Sequence, residues 1–64
     1  MSNLKRLRTN KNITQAQLSE LSGVSVRVIQ NYEQGIRDIN KAQANTVLIL
    51  AKALGCTIEE ILNQ

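Results

Sequence analysis

The sequence predicts an all-α fold, and three observations carry that reading. The chain of 64 residues has no proline and one aromatic residue, Tyr32, while Leu, Ile, Gln, Asn and Ala dominate; this suits short helices better than alternating β-branched and aromatic strands. A helix-start signature recurs, because Thr14 is followed three residues on by Gln17, Thr57 by Glu60, and Ser25 stands before a third apolar-periodic segment. The three glycines, Gly23, Gly35 and Gly55, each lie just past such a segment, where a helix ends on a left-handed residue.

Five helices follow, at about 2–10, 14–21, 25–34, 41–54 and 57–63, each boundary being good to about two residues. Helix 1 offers Leu4 and Leu7 to a core. Helix 2 starts with the Thr14/Gln17 capping box, flanked by the apolar staple of Ile13 and Leu18, and offers Leu18 and Leu21. Helix 3 is capped by Ser25, stapled by Val24 and Ile29, and turns Ile29 and Tyr32 inward. Helix 4 supplies Val47, Leu50, Ala51 and Leu54; helix 5 has the Thr57/Glu60 box, the Cys56/Ile61 staple, and offers Ile58, Ile61 and Leu62. With 42% apolar residues the chain can close one small core, so residues 1–64 read as a single domain.

Composition excludes most chemistry. There is no histidine, no tryptophan and one cysteine, which rules out a Ser-His-Asp or Cys-His nucleophile, a Cys/His zinc site and an internal disulfide. Glu59 and Glu60 are adjacent, so they splay by about 100° around a helix, and Glu60 is taken by a cap; no acid/base pair results. The chain is not expected to be an enzyme or to need a cofactor or metal. Cys56 reads as a small buried hydrophobe of a reduced protein. No apolar run is long enough for a signal peptide or a membrane span, so a soluble, cytoplasmic protein without a membrane partner is expected. The net charge of +3 is uneven: residues 1–37 carry +4 and residues 38–64 carry −1, so one half can face a polyanion.

Helices 2 and 3 are joined by Ser22, Gly23 and Val24 alone, which suits two short helices meeting at a steep angle, a helix-turn-helix. Ser19 is small where the second helix crosses above it. With Ile29 and Tyr32 inward, helical geometry turns Val26, Arg27, Gln30 and Asn31 toward solvent, with Val28 and Gln34 at the margins. Gln and Asn pair with adenine N6 and N7, Arg with guanine O6 and N7, and Val meets a thymine methyl, so this set suits base edges in a major groove. The plainer alternative is a polar outer face; the capped short turn and the basic first half weigh against it.

Leu4, Leu7 and Arg8; the run from Ile13 to Leu18; Gly23, Val24 and Ser25; the run from Ile29 to Gly35; and the run from Leu50 to Gly55 stand in register. In these the stretch from Leu4 to Leu62 resembles the Cro/CI-type (XRE-type) helix-turn-helix domains of phage repressors and bacterial transcriptional regulators. The resemblance implies a compact five-helix bundle of the lambda-repressor-like type, in a bacterial or phage-encoded protein, with helix 3 in the major groove of double-stranded DNA. Val26, Arg27, Gln30 and Asn31 match the family's base-contacting positions, and Gln15 matches a residue that meets a phosphate from the start of helix 2, as a helix N-terminus favours. Arg8 and Glu33 match a structural ion pair between helices 1 and 3. Gln34, Arg37 and Lys41 surround a loop that runs along the DNA backbone, and Lys11 lies in the loop between helices 1 and 2. Lys11 and Lys41 are either phosphate clamps or ordinary solvated side chains.

Two departures from the family pattern stand out. The segment between Gly35 and Leu50 is about three residues longer than usual and has Asp38, Ile39 and Asn40 where the family has a proline, which suits a helix 4 that starts a turn early, capped by Asn40. Ile49 occupies a position usually polar, and is either an exposed partner surface or buried by a slight rotation of helix 4. The function expected is a sequence-specific double-stranded DNA-binding regulator, a repressor acting as a homodimer through helices 4 and 5 on a pseudo-palindromic operator. A protein-interaction module, antitoxin-like or adaptor, that binds a protein partner through the helix 4–5 surface is the alternative.

Overall fold

Side-chain caps decide where most of the helices begin. In the computed structural model, which describes residues 2–62, the order is α1 (Asn3–Asn10), α2 (Gln15–Ser22), α3 (Val26–Gln34), a single 3-10 turn (Ile39–Lys41), α4 (Ala44–Leu54) and α5 (Ile58–Ile61). No strand occurs among the described residues. Ser2 accepts from the Lys5 N–H to cap α1, and Ser25 accepts from the Val28 N–H to cap α3. Both capping boxes close. The Gln17 N–H donates to Thr14 Oγ1 at 3.0 Å while the Thr14 N–H donates to Gln17 Oε1 at 2.8 Å, and Thr57 and Glu60 exchange the same two bonds at 3.2 and 3.0 Å. At Gly23 the backbone turns left-handed, φ +79°, and its N–H reaches Ser19 O at 2.8 Å, so α2 stops and the chain passes directly into Val24.

Every helix puts at least one side chain into a common centre. Leu4, Leu18, Ile29, Leu50, Leu54 and Ile61 are fully buried, with Val24, Tyr32, Val47 and Ala51 around them. Burying each large aliphatic side chain contributes roughly 1.5–3 kcal/mol. α2 packs on α3 and α4, while α1 packs on α3 and α5. This leaves the outer side of α3 without a covering helix. Cys56 is free and half-buried against the core; desolvation first, then Glu60, pushes its thiol pKa up, against an opposing pull from Lys11.

Three sequence expectations are corrected. α4 begins at Ala44, not at 41, and Asn40 does not cap it; Gln43 stands at its N-cap position with no side-chain bond. The intervening residues form the 3-10 turn, capped by Asp38 on the Asn40 N–H at 2.9 Å, because this bend carries Ile39 into the core at 2% exposure. Leu21, expected in the core, is 64% exposed. It stands about 60° around α2 from Leu18, which takes the central position, and lies over a shallow trough beside Ile13 and Ala53. Helix 5 ends at Ile61, within two residues of the expected boundary, since Leu62 is extended; position 63 lies outside the described residues. Leu7, Ile58 and Leu62 are partly buried and pack against the core, as expected.

Candidate nucleic-acid interface

The turn between α2 and α3 is closed by its own side chains. Ser22 Oγ donates to Leu18 O at 2.7 Å and accepts from the Val24 N–H at 3.1 Å, which satisfies the backbone at the corner. Val24, Ile29 and Tyr32 then anchor α3 from beneath. At its far end the Arg37 N–H donates to Asn31 O at 3.1 Å, and the Arg37 guanidinium lies 5.9 Å from the centre of the Tyr32 ring, within cation–π range.

On the outer side of α3, Arg27, Gln30 and Gln34 are exposed. Val26 and Asn31, expected to project with them, are half-buried at the edges of that face, and Val28 leans onto the core. The strip that stands free is therefore narrower than the sequence implies, and Gln30 is at its middle.

A polar chain ties this strip to the interior. Arg8 and Glu33 form a two-bond ion pair, Nε to Oε2 at 2.7 Å and Nη2 to Oε1 at 3.0 Å, while Arg8 Nη1 donates to Ile13 O at 2.8 Å. The Glu33 side chain is 2% exposed. This hydrogen bond raises the Arg8 pKa further above its ordinary value, against the opposing effect of burial. From Glu33 Oε1 the chain continues outward: Gln15 Nε2 donates to it at 3.0 Å, and Gln30 Nε2 donates to Gln15 Oε1 at 3.2 Å. No buried side-chain polar atom among the described residues lacks a partner.

Gln15 is the first residue of α2, and the backbone N–H groups of that first turn, apart from the one held by Thr14, have no intrahelical acceptor. Beside it lies an open depression of about 580 Å³, which Lys5, Asn12 and Thr14 also line. Sequence reasoning did not gather Lys5 and Asn12 there. Lys5 precedes Arg8 by three residues and so shares its helix face, a spacing that was available; Asn12 adopts φ +57°, a conformation an asparagine in a short loop favours.

A second open groove, about 520 Å³, runs between the start of α3 and the start of α4 and brings Arg37 and Lys41 together over Val28 and Ile49. The uncapped amides of α4 open at this end. Ile49 is half-buried, packed against the core on one side and lining this groove on the other, while Leu48 of α4 is exposed. Lys11 is not part of either cluster of cations. Its Nζ lies 3.7 Å from where a β-carbon on Gly55 would stand, at the C-terminal, negative end of α4, whereas Lys41 precedes the start of that helix. Among the described residues, Leu21 and Ile36 are the other exposed large apolar side chains.

No group of three or more His, Cys, Asp or Glu side chains among the described residues can hold a metal ion, and none of their helices is long and apolar enough to cross a membrane. A family model described as helix-turn-helix matches residues 4–61, from α1 through the last residue of α5. No curated protein and no solved structure matches the chain.

Proposed function

The chain belongs to the helix-turn-helix family, a non-catalytic family of DNA-binding regulators, and from that membership we propose that it is a Cro/CI-type repressor that reads double-stranded DNA with α3. The supporting observation is the Gln15–Gln30 hydrogen bond. It joins an amide at the start of α2, where a phosphate is favoured, to an exposed amide in the middle of α3, where a base edge is favoured. A phosphate contact and a base contact thereby share one frame, so docking the backbone sets the register of the reading helix. An α-helix of about 10–12 Å diameter fits a major groove of about 12 Å.

In this reading Gln30 and Arg27 take the central base contacts, with Val26 and Asn31 at the edges of the footprint. Gln15, Gln34, Arg37 and Lys41 meet phosphates. Lys11 is left out, since its ammonium sits at the α4 C-terminus. The protein acts as a homodimer on a pseudo-palindromic operator, its half-sites about 34 Å apart, and pairs through α4 and α5, of which α4 exposes Leu48.

Selection of bound duplexes from a random pool tests this directly: a two-fold symmetric consensus is the expected result, and a pool that stays random overturns it. On the selected site the logarithm of the binding constant should fall linearly with that of salt concentration, with a slope of about −0.9 per neutralised phosphate.

A further inference from the structure

We infer that Glu33, buried and remote from DNA, is a positioning residue for specificity: acting through Gln15, it fixes which way round the Gln30 amide meets the base pair. The inference rests on the proposed DNA-reading role of α3 and adds to it which residue makes that reading one-sided.

The direction of the chain follows from what each group is able to donate. A guanidinium only donates and an ionised carboxylate only accepts, so the Arg8–Glu33 pair has a single polarity. Glu33 Oε1 therefore holds the NH2 end of the Gln15 amide, which leaves Gln15 Oε1 facing outward. That oxygen only accepts, so Gln30 must turn its own NH2 end toward it. One N–H of Gln30 is used in this way, and its Oε1 and second N–H remain for a base edge in one fixed order.

An amide that donates to adenine N7 and accepts from N6–H needs that order, and one flipped about its terminal torsion presents the reverse. A free glutamine samples both arrangements. Val26, the first residue of α3, has no side-chain polar atom to offer Gln15, so the bond falls to Gln30, one turn further along. A residue that touches no base thus selects between an A·T pair and its T·A reversal.

Replacing Glu33 removes half of a buried ion pair and endangers the fold, so the informative variant is Gln15→Met, which keeps the ion pair and the side-chain length. Wild type, Gln15→Met, Gln30→Ala and the double variant are titrated against the selected duplex and against duplexes changed at one pair at a time. The pair read by Gln30 is the one at which Gln30→Ala loses discrimination. There Gln15→Met should lower the preference for adenine over the reversed pair about five-fold, more than it changes discrimination at any other pair, and should not lower that preference further on top of Gln30→Ala. Full discrimination in Gln15→Met overturns the inference, as does a Gln30→Ala variant that loses none. In the free protein, the Gln30 side-chain amide protons should move toward free-glutamine positions in an NMR spectrum of Gln15→Met; unmoved signals overturn the relay without any reference to DNA. A wild type with no sequence preference but with these shifts would instead remove the DNA-reading role and leave the relay as an ordering contact only.

Discussion

The unit formed by α2 and α3 and the connection from Gly35 to the start of α4 are ordered by different means. In the first, both helix starts carry a side-chain cap, Ser22 closes the turn, and Glu33 is held by three hydrogen bonds from Arg8 and Gln15. In the second, Asp38 caps a single 3-10 turn, α4 starts uncapped, and what fixes the path is the burial of Ile39. Where nearby groups saturate the backbone, the neighbours set the boundary. Where they do not, one distant apolar contact sets it.

The largest effect that would break this contrast is loss of the ion pair. Glu33→Ala leaves the Arg8 guanidinium nearly buried and half unpaired, and should cost about 3–5 kcal/mol in urea unfolding, a large share of the total for a domain this small. Replacing both partners by Met should recover much of that loss, because no unpaired charge remains. If Glu33→Ala costs under about 1 kcal/mol, the order of the α2–α3 unit does not come from this pair.

In the connection the corresponding change is Ile39→Ala, which deletes a fully buried side chain and should cost about 2–4 kcal/mol. Its signature is regional. Amide exchange should quicken from Ile39 to Val47 while the amides of α3 below the reading strip stay protected relative to it, since no cap holds α4's first turn once Ile39 is gone. Uniform loss of protection would mean that the two regions unfold as one unit and that the contrast is only geometric.

The same contrast explains what the sequence disclosed. The α2 and α3 starts, the Gly23 turn and the inward Ile29 and Tyr32 are legible because each depends on residues within about four positions along the chain. Ile39 was not legible as core, since its burial depends on where α4 and α3 leave room, and an isolated apolar residue between Asp38 and Asn40 has no period to place it. Leu21 failed for a related reason: helical periodicity puts it near Leu18, but only the position of α4 decides that the apolar stripe of α2 is one residue wide at that end. At the interface, residue types marked out Gln15 and Gln30 separately. Their bond was invisible, because it depends on the crossing of α2 over α3.

A smaller effect sharpens the comparison within the capped region itself. Thr14→Ala removes the hydroxyl that accepts from the Gln17 N–H and should cost about 1 kcal/mol in the same unfolding experiment. Gln43→Ala, at the uncapped start of α4, should cost only a few tenths by comparison, since no side-chain bond is lost there. Equal losses would mean that side-chain capping is not what separates the two kinds of helix start.

The smallest effect separates the two capping boxes, which share a geometry but not a chemistry: Gln17 is neutral, whereas Glu60 titrates. The Thr57 N–H first, then its hydroxyl, with a further pull from Arg6, hold the Glu60 carboxyl below the usual carboxylate range. A lowered native pKa means that the unfolded chain takes up the proton first. The contribution of this box is therefore complete above the unfolded value and is lost as pH falls through the native one. The side chain is fully solvated, so the change is small and salt weakens its charge component. Thermal unfolding of wild type and Glu60→Gln, followed from neutral pH down through the carboxylate range, isolates it: the difference between the two should shrink toward acid, because the glutamine keeps an acceptor oxygen for the Thr57 N–H whatever the pH. A difference that stays constant would show that the Thr57 box works through shape alone, as the neutral Thr14 box does.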